Sequence, residues 1–259
     1  MLLPIKFMPQ VKQTSSRVAL ITGASRGIGA ATAKLLGKKG YAVCVNYLNS
    51  ESAAKKIVSD IIKSGGEAIA FKADVGVEKE IILMFETVDR ELGVISGLVN
   101  NAGQGDGWGQ YRIEEIKFNF LQSVYNVNVF GCFICCREAV KRMKRNRTGT
   151  IVNITSQAAT FGGIGMTHYA SSKASINTLT TGLSREVAEF GIRVNAVSPG
   201  VIDTDAHANL SKERKGYLKN SVPLGRFGKA EEVAETVEWL LSDHSSYISG
   251  TVIPVAGGR

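Results

Sequence analysis

The sequence has few of the features that mark membrane-spanning, extracellular or fibrous proteins. Its 259 residues include only four cysteines and five prolines, and so few cysteines argue against a disulfide-stabilised extracellular domain. No apolar run reaches the ~18–20 residues that a membrane span needs, and Leu2-Leu3 is too short for the apolar core of a signal peptide. We therefore expect a globular cytoplasmic protein with no membrane partner.

Acidic residues are also scarce, because 23 Asp and Glu stand against 31 Lys and Arg, which gives a formal net charge of +8. A basic balance can attract nucleic acid or anionic surfaces. Much of the excess, however, lies in residues 141–147, at the end of a predicted helix. Cations there complement the helix dipole, so we interpret them as a solvated helix end and expect no nucleic-acid partner.

Cys132, Cys135 and Cys136 form a cluster of the kind that can indicate a metal or redox site. The surrounding run, residues 130–136, is apolar throughout, and no second cluster in the sequence supplies further ligands. We therefore predict buried, reduced thiols and no metal ion.

Strands and helices alternate along the chain, which favours an α/β fold: a Rossmann-type doubly wound parallel sheet of about seven strands with helices on both faces. The predicted strands lie near residues 17–21, 41–46, 67–73, 95–100, 150–155, 193–198 and 251–254, and the predicted helices near 27–39, 51–64, 78–92, 116–145, 169–190 and 230–241. No linker or repeat interrupts this order, so residues 17–259 are predicted to form a single domain. Residues 1–16 have no clear pattern, and we interpret them as a flexible extension or as a sequence upstream of a start at Met8, with organelle targeting as a further alternative.

A glycine-rich turn joins the first predicted strand to the first predicted helix. Gly23, Gly27 and Gly29 have the spacing Gly-x-x-x-Gly-x-Gly, with Ser25 and Ile28 between them. Glycines let the backbone approach a pyrophosphate, whose charge is stabilised by the free N–H groups at a helix start. An ordinary tight turn is the alternative, but the flanking strand–helix–strand unit favours dinucleotide binding.

Two positions near this turn favour NADP(H) over NAD(H), which stays open as the alternative. NAD sites usually place an acid after the second strand, yet this chain has Asn46 there and no acid before Glu51. Arg26 begins the first helix, where the helix dipole disfavours a cation. An anion such as a 2′-phosphate beside Arg26 would explain both observations.

Tyr169 and Lys173 indicate proton-transfer chemistry. Their i, i+4 spacing in a predicted helix puts both side chains on one face. A nearby ammonium favours the phenolate and so lowers the phenol pKa from about 10. Ser156 follows the predicted strand 150–155, and its hydroxyl can hold a carbonyl or alcohol oxygen against Tyr169. A chance helix pair is the alternative interpretation.

The predicted site lies where several strands end. Thr22, Asn100, Ser156 and Pro199 each follow or close a predicted strand, and ligands of open parallel sheets bind at the carboxyl ends of their strands. Three loops, residues 104–111, 157–168 and 203–224, are expected to shape a substrate pocket. The third carries charges that indicate either a closing lid or an exposed helix.

With these features in place, the chain resembles the short-chain dehydrogenase/reductase family in its compact single-domain branch, over about residues 17–259. Within the family it is similar to bacterial glucose dehydrogenases and 3-oxoacyl reductases. The matching motifs are Thr22-Gly23-x-x-x-Gly27-x-Gly29, Ala73-Asp74-Val75, Asn100-Asn101-Ala102-Gly103, Val127-Asn128-Val129-Phe130-Gly131, Ser156 with Tyr169 and Lys173, and Ser198-Pro199-Gly200-Val201-Ile202-Asp203-Thr204.

The resemblance implies an enzyme that transfers hydride between C4 of a nicotinamide and a small carbonyl or secondary-alcohol substrate. Tyr169 would act as general acid/base, Lys173 would lower its pKa and hold the nicotinamide ribose, Ser156 would orient the substrate oxygen, and Asn128 would position a water. The implied cofactor-binding residues are Gly23, Ser25, Arg26, Gly27, Ile28, Gly29, Asn46, Asp74, Val75, Asn101, Ala102, Gly103, Tyr169, Lys173, Pro199, Gly200, Ile202 and Thr204. A homotetramer is implied, with a dimer as the alternative; a catalytically idle NADP-binding sensor or interaction protein is the alternative function.

Overall fold

The computed structural model describes residues 17–105, 111–204 and 210–259. The predicted extension 1–16 lies outside the described residues, as do parts of the loops 104–111 and 203–224. The main strands are β1 Val18–Ile21, β2 Ala42–Tyr47, β3 Glu67–Lys72, β4 Ile95–Asn100, β5 Gly149–Ile154, β6 Ile192–Pro199 and β9 Val252–Val255; β7 Ile202–Asp203 and β8 Gly228–Lys229 form a separate pair.

The helices are α1 Gly27–Lys38, α2 Glu51–Lys63, α3 Glu78–Glu91, α4 Phe118–Tyr125, α5 Cys132–Asn146, α6 Ala158–Phe161, α7 Thr167–Val187, α8 Lys212–Asn220 and α9 Ala230–Leu241. Most bounds lie within two residues of the predicted ones, and α7 begins two residues early, at Thr167. None of the helices in the described ranges is long and apolar enough to cross a membrane.

Seven parallel strands form the central sheet in the order β3-β2-β1-β4-β5-β6-β9. The chain moves outward from β1 to β3 and then returns to place β4 on the other side of β1. This reversal opens a crevice at the carboxyl ends of β1 and β4, the place where doubly wound sheets bind ligands. The predicted fold class is confirmed.

The core has two layers, one on each face of the sheet. In β1, Val18 and Leu20 pack toward α3, α5 and α7, whereas Ala19 and Ile21 pack toward α1, α2 and α9. All four are at most 1% exposed. Strands covered on both faces read as continuous apolar runs, which is why the sequence identified them so readily.

The long helix predicted over 116–145 is interrupted. A π-helical segment, Asn126–Gly131, separates α4 from α5. Gly131 allows this geometry to pack closely, because a Cβ there would collide with the carbonyl oxygen of Val75. Such segments often mark functional positions, and this one contains Asn128.

Two short helices lie in segments that were predicted as loops. α6 lies in the loop 157–168 and α8 in the loop 203–224. Four-residue α6 has too few residues to show a periodic pattern. In α8 only Leu218 is buried, so its charged residues lie on an exposed helix, one of the two interpretations made from sequence.

Candidate active site

Hydrogen bonds tie the strand ends together at the carboxyl edge of the sheet. The backbone N–H groups of Asn101 and Ala102, after β4, both donate to Thr22 Oγ1, after β1, at 3.0 Å. On the other side, the N–H of Gln157 donates to the carbonyl oxygen of Pro199 at 3.0 Å. The predicted convergence of these motifs on one edge is therefore seen in the structure.

The glycine-rich turn has the shape of an anion cradle. Gly23 and Gly27 have φ values of 62° and 55°, which favour glycine. A Cβ at Gly29 would lie 2.5 Å from Asn101 Nδ2 and 2.7 Å from the Gly23 carbonyl oxygen. Arg26 precedes α1 without a side-chain cap, and the first turn of α1 has no acidic residue. These features fit a bound pyrophosphate.

Asn46 contacts the first glycine of this turn, and its assignment to the cofactor stays a prediction. Its side chain is 1% exposed; Oδ1 accepts from the N–H of Gly23 at 3.0 Å, and Nδ2 donates to the carbonyl oxygen of Ala73 at 3.1 Å. The Asn101 side chain also bonds to the backbone of the turn, because Nδ2 donates to the carbonyl oxygens of Thr22 and Gly23. Both amides fix the backbone of the turn.

Asp74 and Ile202 also make structural contacts in this state. Asp74 Oδ1 accepts from the N–H of Gly76 at 2.7 Å, as a turn residue does. The Ile202 side chain is 4% exposed and packs in the core, so at most its backbone is available to a ligand.

The segment 199–204 reaches the glycine-rich turn, as the cofactor prediction requires. A Cβ at Gly27 would lie 3.5 Å from Thr204 Cγ2. Gly200 lies against Ala256, and its N–H donates to the carbonyl oxygen of Val255 at 3.0 Å. Val75 is buried next to Gly131. Of the remaining predicted positions, Ser25 lies in the turn, Ile28 in the first turn of α1, Ala102 and Gly103 after β4, and Pro199 at the end of β6.

Lys173 is a buried cation next to Tyr169. Its side chain is 4% exposed, and Nζ donates to the carbonyl oxygen of Ile154 at 2.9 Å, at the end of β5. Burial lowers the pKa of Lys173 from 10.5 to about 8, while the neighbouring Cys132 opposes that shift. Nζ lies 5.8 Å from the centre of the Tyr169 ring.

Tyr169 has a raised pKa, not the lowered one that the sequence predicted. Burial raises the pKa of the phenol above 10.0, and a hydrogen bond with Ser156 opposes the rise without cancelling it. In this state the Lys173 ammonium donates to the Ile154 carbonyl oxygen. In this state the phenol is protonated at neutral pH.

Asn128 is 2% exposed and fully engaged with the protein. Oδ1 accepts from the N–H of Gln104 at 2.7 Å, and Nδ2 donates to the Gln104 carbonyl oxygen at 2.9 Å and to Ser172 Oγ at 3.0 Å. Asn128 thus joins the loop after β4 to α7, between Tyr169 and Lys173.

Gln104, Ser123 and Ser172 were missed by the sequence analysis. Gln104 Oε1 accepts from Ser123 Oγ at 2.8 Å, and Ser172 Oγ donates to the Tyr169 carbonyl oxygen at 2.7 Å. Ser172 lies between Tyr169 and Lys173, so its position on α7 was a usable signal. Nothing in the sequence pairs Gln104 with Ser123 or Asn128.

Comparisons with known proteins define the class. A family model described as Enoyl-(Acyl carrier protein) reductase matches residues 23–259. The chain belongs to the short-chain dehydrogenase/reductase family and is an oxidoreductase by that membership, which confirms the resemblance found in its sequence.

Particular relatives include an Escherichia coli (strain K12) protein named Uncharacterized oxidoreductase YgfF, 45% identical over 247 residues, which cover 93% of this chain and 99% of the relative. The 3-oxoacyl-(acyl-carrier-protein) reductase of Synechocystis sp. is 40% identical over 245 residues, covering 94% and 97%. A crystal structure of a candidate gluconate dehydrogenase from Agrobacterium tumefaciens matches with a TM-score of 0.88 at 34% identity, covering 93% and 95%.

Proposed function

We propose that this protein is an NADP(H)-dependent carbonyl reductase in which Tyr169 donates the proton. The observation that carries the proposal is the meeting of Ser156, Tyr169 and buried Lys173 at the sheet edge that also holds the glycine cradle. When bound, a nicotinamide supplies the hydride, so the protein has to position the substrate and move the proton.

The protonation states suit reduction. A protonated Tyr169 can give its proton to the oxygen of a carbonyl as that oxygen gains charge, and Ser156 can donate a second hydrogen bond to the same oxygen. Lys173, with a pKa of about 8, is mostly protonated at pH 7 and stabilises the phenolate left behind. The reverse reaction, alcohol oxidation, needs a deprotonated Tyr169 and is therefore favoured at higher pH.

NADP(H) is the proposed cofactor because the described part of the cleft offers a cation, and the segment after β2 has no acid before Glu51. Arg26 is exposed at the start of α1. Glu51, the first acid after β2, is bound to Lys55 at 2.6 Å. A 2′-phosphate would meet Arg26 without facing an unpaired carboxylate.

The substrate is proposed to carry an apolar group next to its carbonyl. Between Ile154 and Lys173 the chain has no Asp, Glu, Lys or Arg, and this segment joins the two halves of the site. Phe161 and Ile164 within it are 71% and 90% exposed. A sugar acid needs a cation for its carboxylate, whereas a 3-oxoacyl chain needs the apolar surface found here.

NADPH oxidation followed at 340 nm tests the proposal. Matched ketones should be compared: 3-oxo esters of increasing chain length, 5-ketogluconate and dihydroxyacetone, with secondary alcohols and NADP⁺ for the reverse reaction. We expect kcat/KM to rise with chain length and to fall about 10²–10⁴-fold in Tyr169→Phe. NADPH binding without turnover of any member would favour the idle cofactor-binding protein instead.

The proposal includes the assembly as well: a single domain over 17–259 that forms a homotetramer. Phe130 and Phe133 are 54% and 48% exposed on one helical stretch, and β9 is an edge strand of the sheet. Both are surfaces that a second copy can cover. Light scattering at micromolar concentration should give a mass near four chains, and a single-chain mass would contradict it.

A further inference from the structure

The loop after β4 has glycine at two alternate positions, and each faces one member of the catalytic pair. A Cβ at Gly103 would lie 3.3 Å from Lys173 Nζ. A Cβ at Gly105 would lie 3.1 Å from Tyr169 Cδ2 and 3.2 Å from Cε2. The bare backbone of Gly105 therefore lies against the face of the Tyr169 ring, on its Cδ2–Cε2 side.

Gln104, between these glycines, is held on the other side of the loop. Its backbone exchanges two hydrogen bonds with the Asn128 side chain, at 2.7 and 2.9 Å, and its own side chain accepts from Ser123 Oγ at 2.8 Å. Asn128 is buried in the π-helical segment and also bonds Ser172 on α7. A retreat of Gln104 from this position would break these bonds.

The Tyr169 ring is thus restrained at two places. Its hydroxyl interacts with the Ser156 side chain, and the Cδ2–Cε2 side of its face lies against Gly105. The hydroxyl lies on the axis of the Cβ–Cγ bond, so a turn about that bond leaves it in place. A push on the face that tilts the whole side chain carries the hydroxyl away from Ser156.

We propose that Gly105 is a positioning residue for Tyr169: its backbone, clamped through Gln104 by Asn128, holds the ring where the hydroxyl bonds Ser156. The inference rests on the proposed role of Tyr169 as proton donor. In this role Gly105 acts through the ring and not through a hydrogen bond of its own.

Gly105→Ala is the direct test. Gly105 is exposed and its φ is not positive, so alanine is accepted by the backbone. The added methyl needs a few tenths of an ångström, and because the loop is clamped the ring gives way. We expect kcat to fall about 5- to 20-fold while the Kd of NADPH changes less than twofold, since small misplacements of reacting groups are costly.

A second readout needs no turnover. The Ser156 hydrogen bond lowers the pKa of Tyr169, so its loss should move the titration of that tyrosine to higher pH. The titration is read near 295 nm in the cofactor-free protein, as the difference between Gly105→Ala and the same variant carrying Tyr169→Phe. If no ketone is turned over even by wild type, the proposed function fails, and this titration still tests the positioning.

Gly182→Ala is the matched control, because Gly182 lies on α7 with Tyr169 and a Cβ there meets nothing within 4 Å. It should leave kcat and the titration unchanged. In a Ser156→Ala background, Gly105→Ala should cost less than twofold, since no hydrogen bond remains to be lost. An unchanged kcat and titration in Gly105→Ala, or the full loss in the Ser156→Ala background, would overturn the proposal.

Discussion

The glycine-rich turn and the catalytic helix α7 use polar side chains in opposite ways. Around the turn, the side chains of Asn46 and Asn101 form hydrogen bonds with the backbone of Gly23 and Thr22. On α7, Tyr169 and Lys173 place their functional groups at the strand ends beside Ser156. Backbone N–H groups bind an anion at a helix start, so the side chains there maintain the shape of the turn. Proton transfer requires the side chains themselves.

Tyr169→Phe should lower activity more than any other variant that tests this comparison. Removing the hydroxyl removes the proton donor but little of the ring packing, so kcat should fall about 10²–10⁴-fold. The Kd of NADPH, measured by fluorescence, should change little. A variant that kept most of its activity would assign the proton to another group.

Lys173→Met should alter how stability depends on pH. The pKa of Lys173 is about 8 in the folded protein and 10.5 as the reference value. Between pH 8 and 10.5 the unfolded chain binds a proton that the native protein lacks. The free energy of unfolding of the wild type should therefore rise with pH relative to that of the variant, by about 3 kcal/mol in total. Below pH 8 the difference between the two proteins should be flat.

Urea unfolding of both proteins from pH 7 to 10.5 measures this difference. Other titrating groups are common to the pair and cancel. A difference that does not change with pH would mean that Lys173 keeps its ordinary pKa despite its burial.

Asn46→Ala tests the side chains that maintain the shape of the glycine-rich turn. The change leaves the N–H of Gly23 and the carbonyl oxygen of Ala73 without a partner, so the free energy of unfolding should fall by about 1–3 kcal/mol. NADPH should bind more weakly, because the turn loses its shape, while kcat at saturating NADPH is largely kept. Asn49→Ala, an exposed neighbour, is the control for stability and should cost less than about 0.5 kcal/mol.

Arg26→Ala should give the smallest and most selective effect. Loss of a charge-assisted hydrogen bond to the 2′-phosphate should raise the Kd of NADPH about tenfold and leave that of NADH unchanged. Lys38→Ala, at the other end of α1, removes the same charge without approaching the cradle. Equal weakening of NADPH and NADH would mean that Arg26 does not read the 2′-phosphate.

The features that the sequence predicted well are those carried by local patterns. Buried strands appear as apolar runs, and the i, i+4 spacing of Tyr169 and Lys173 is a property of any helix. The direction of the Asn46 side chain depends on Gly23 and Ala73, which come close only in the fold. The Gln104–Asn128 contact and the π-helical segment have the same origin, because each needs partners about 25 or more residues away.

The raised pKa of Tyr169 has a similar cause. Sequence spacing correctly brought an ammonium near the ring, but the distance and the competing bond to Ile154 decide whether the ammonium acts on the hydroxyl. Burial, which no spacing reports, is the larger effect.

The π-helical segment at 126–131 fixes how far α5 is rotated about the helix axis relative to α4. The sequence pattern predicted these two helices as one. Such a segment behaves as one inserted residue, and each residue of an α-helix turns the chain by about 100°. Deleting one residue there would let α4 and α5 run on as a continuous α-helix, with α4 turned by about a quarter of a revolution relative to α5. The length of this stretch therefore determines whether Asn128 can reach the loop after β4.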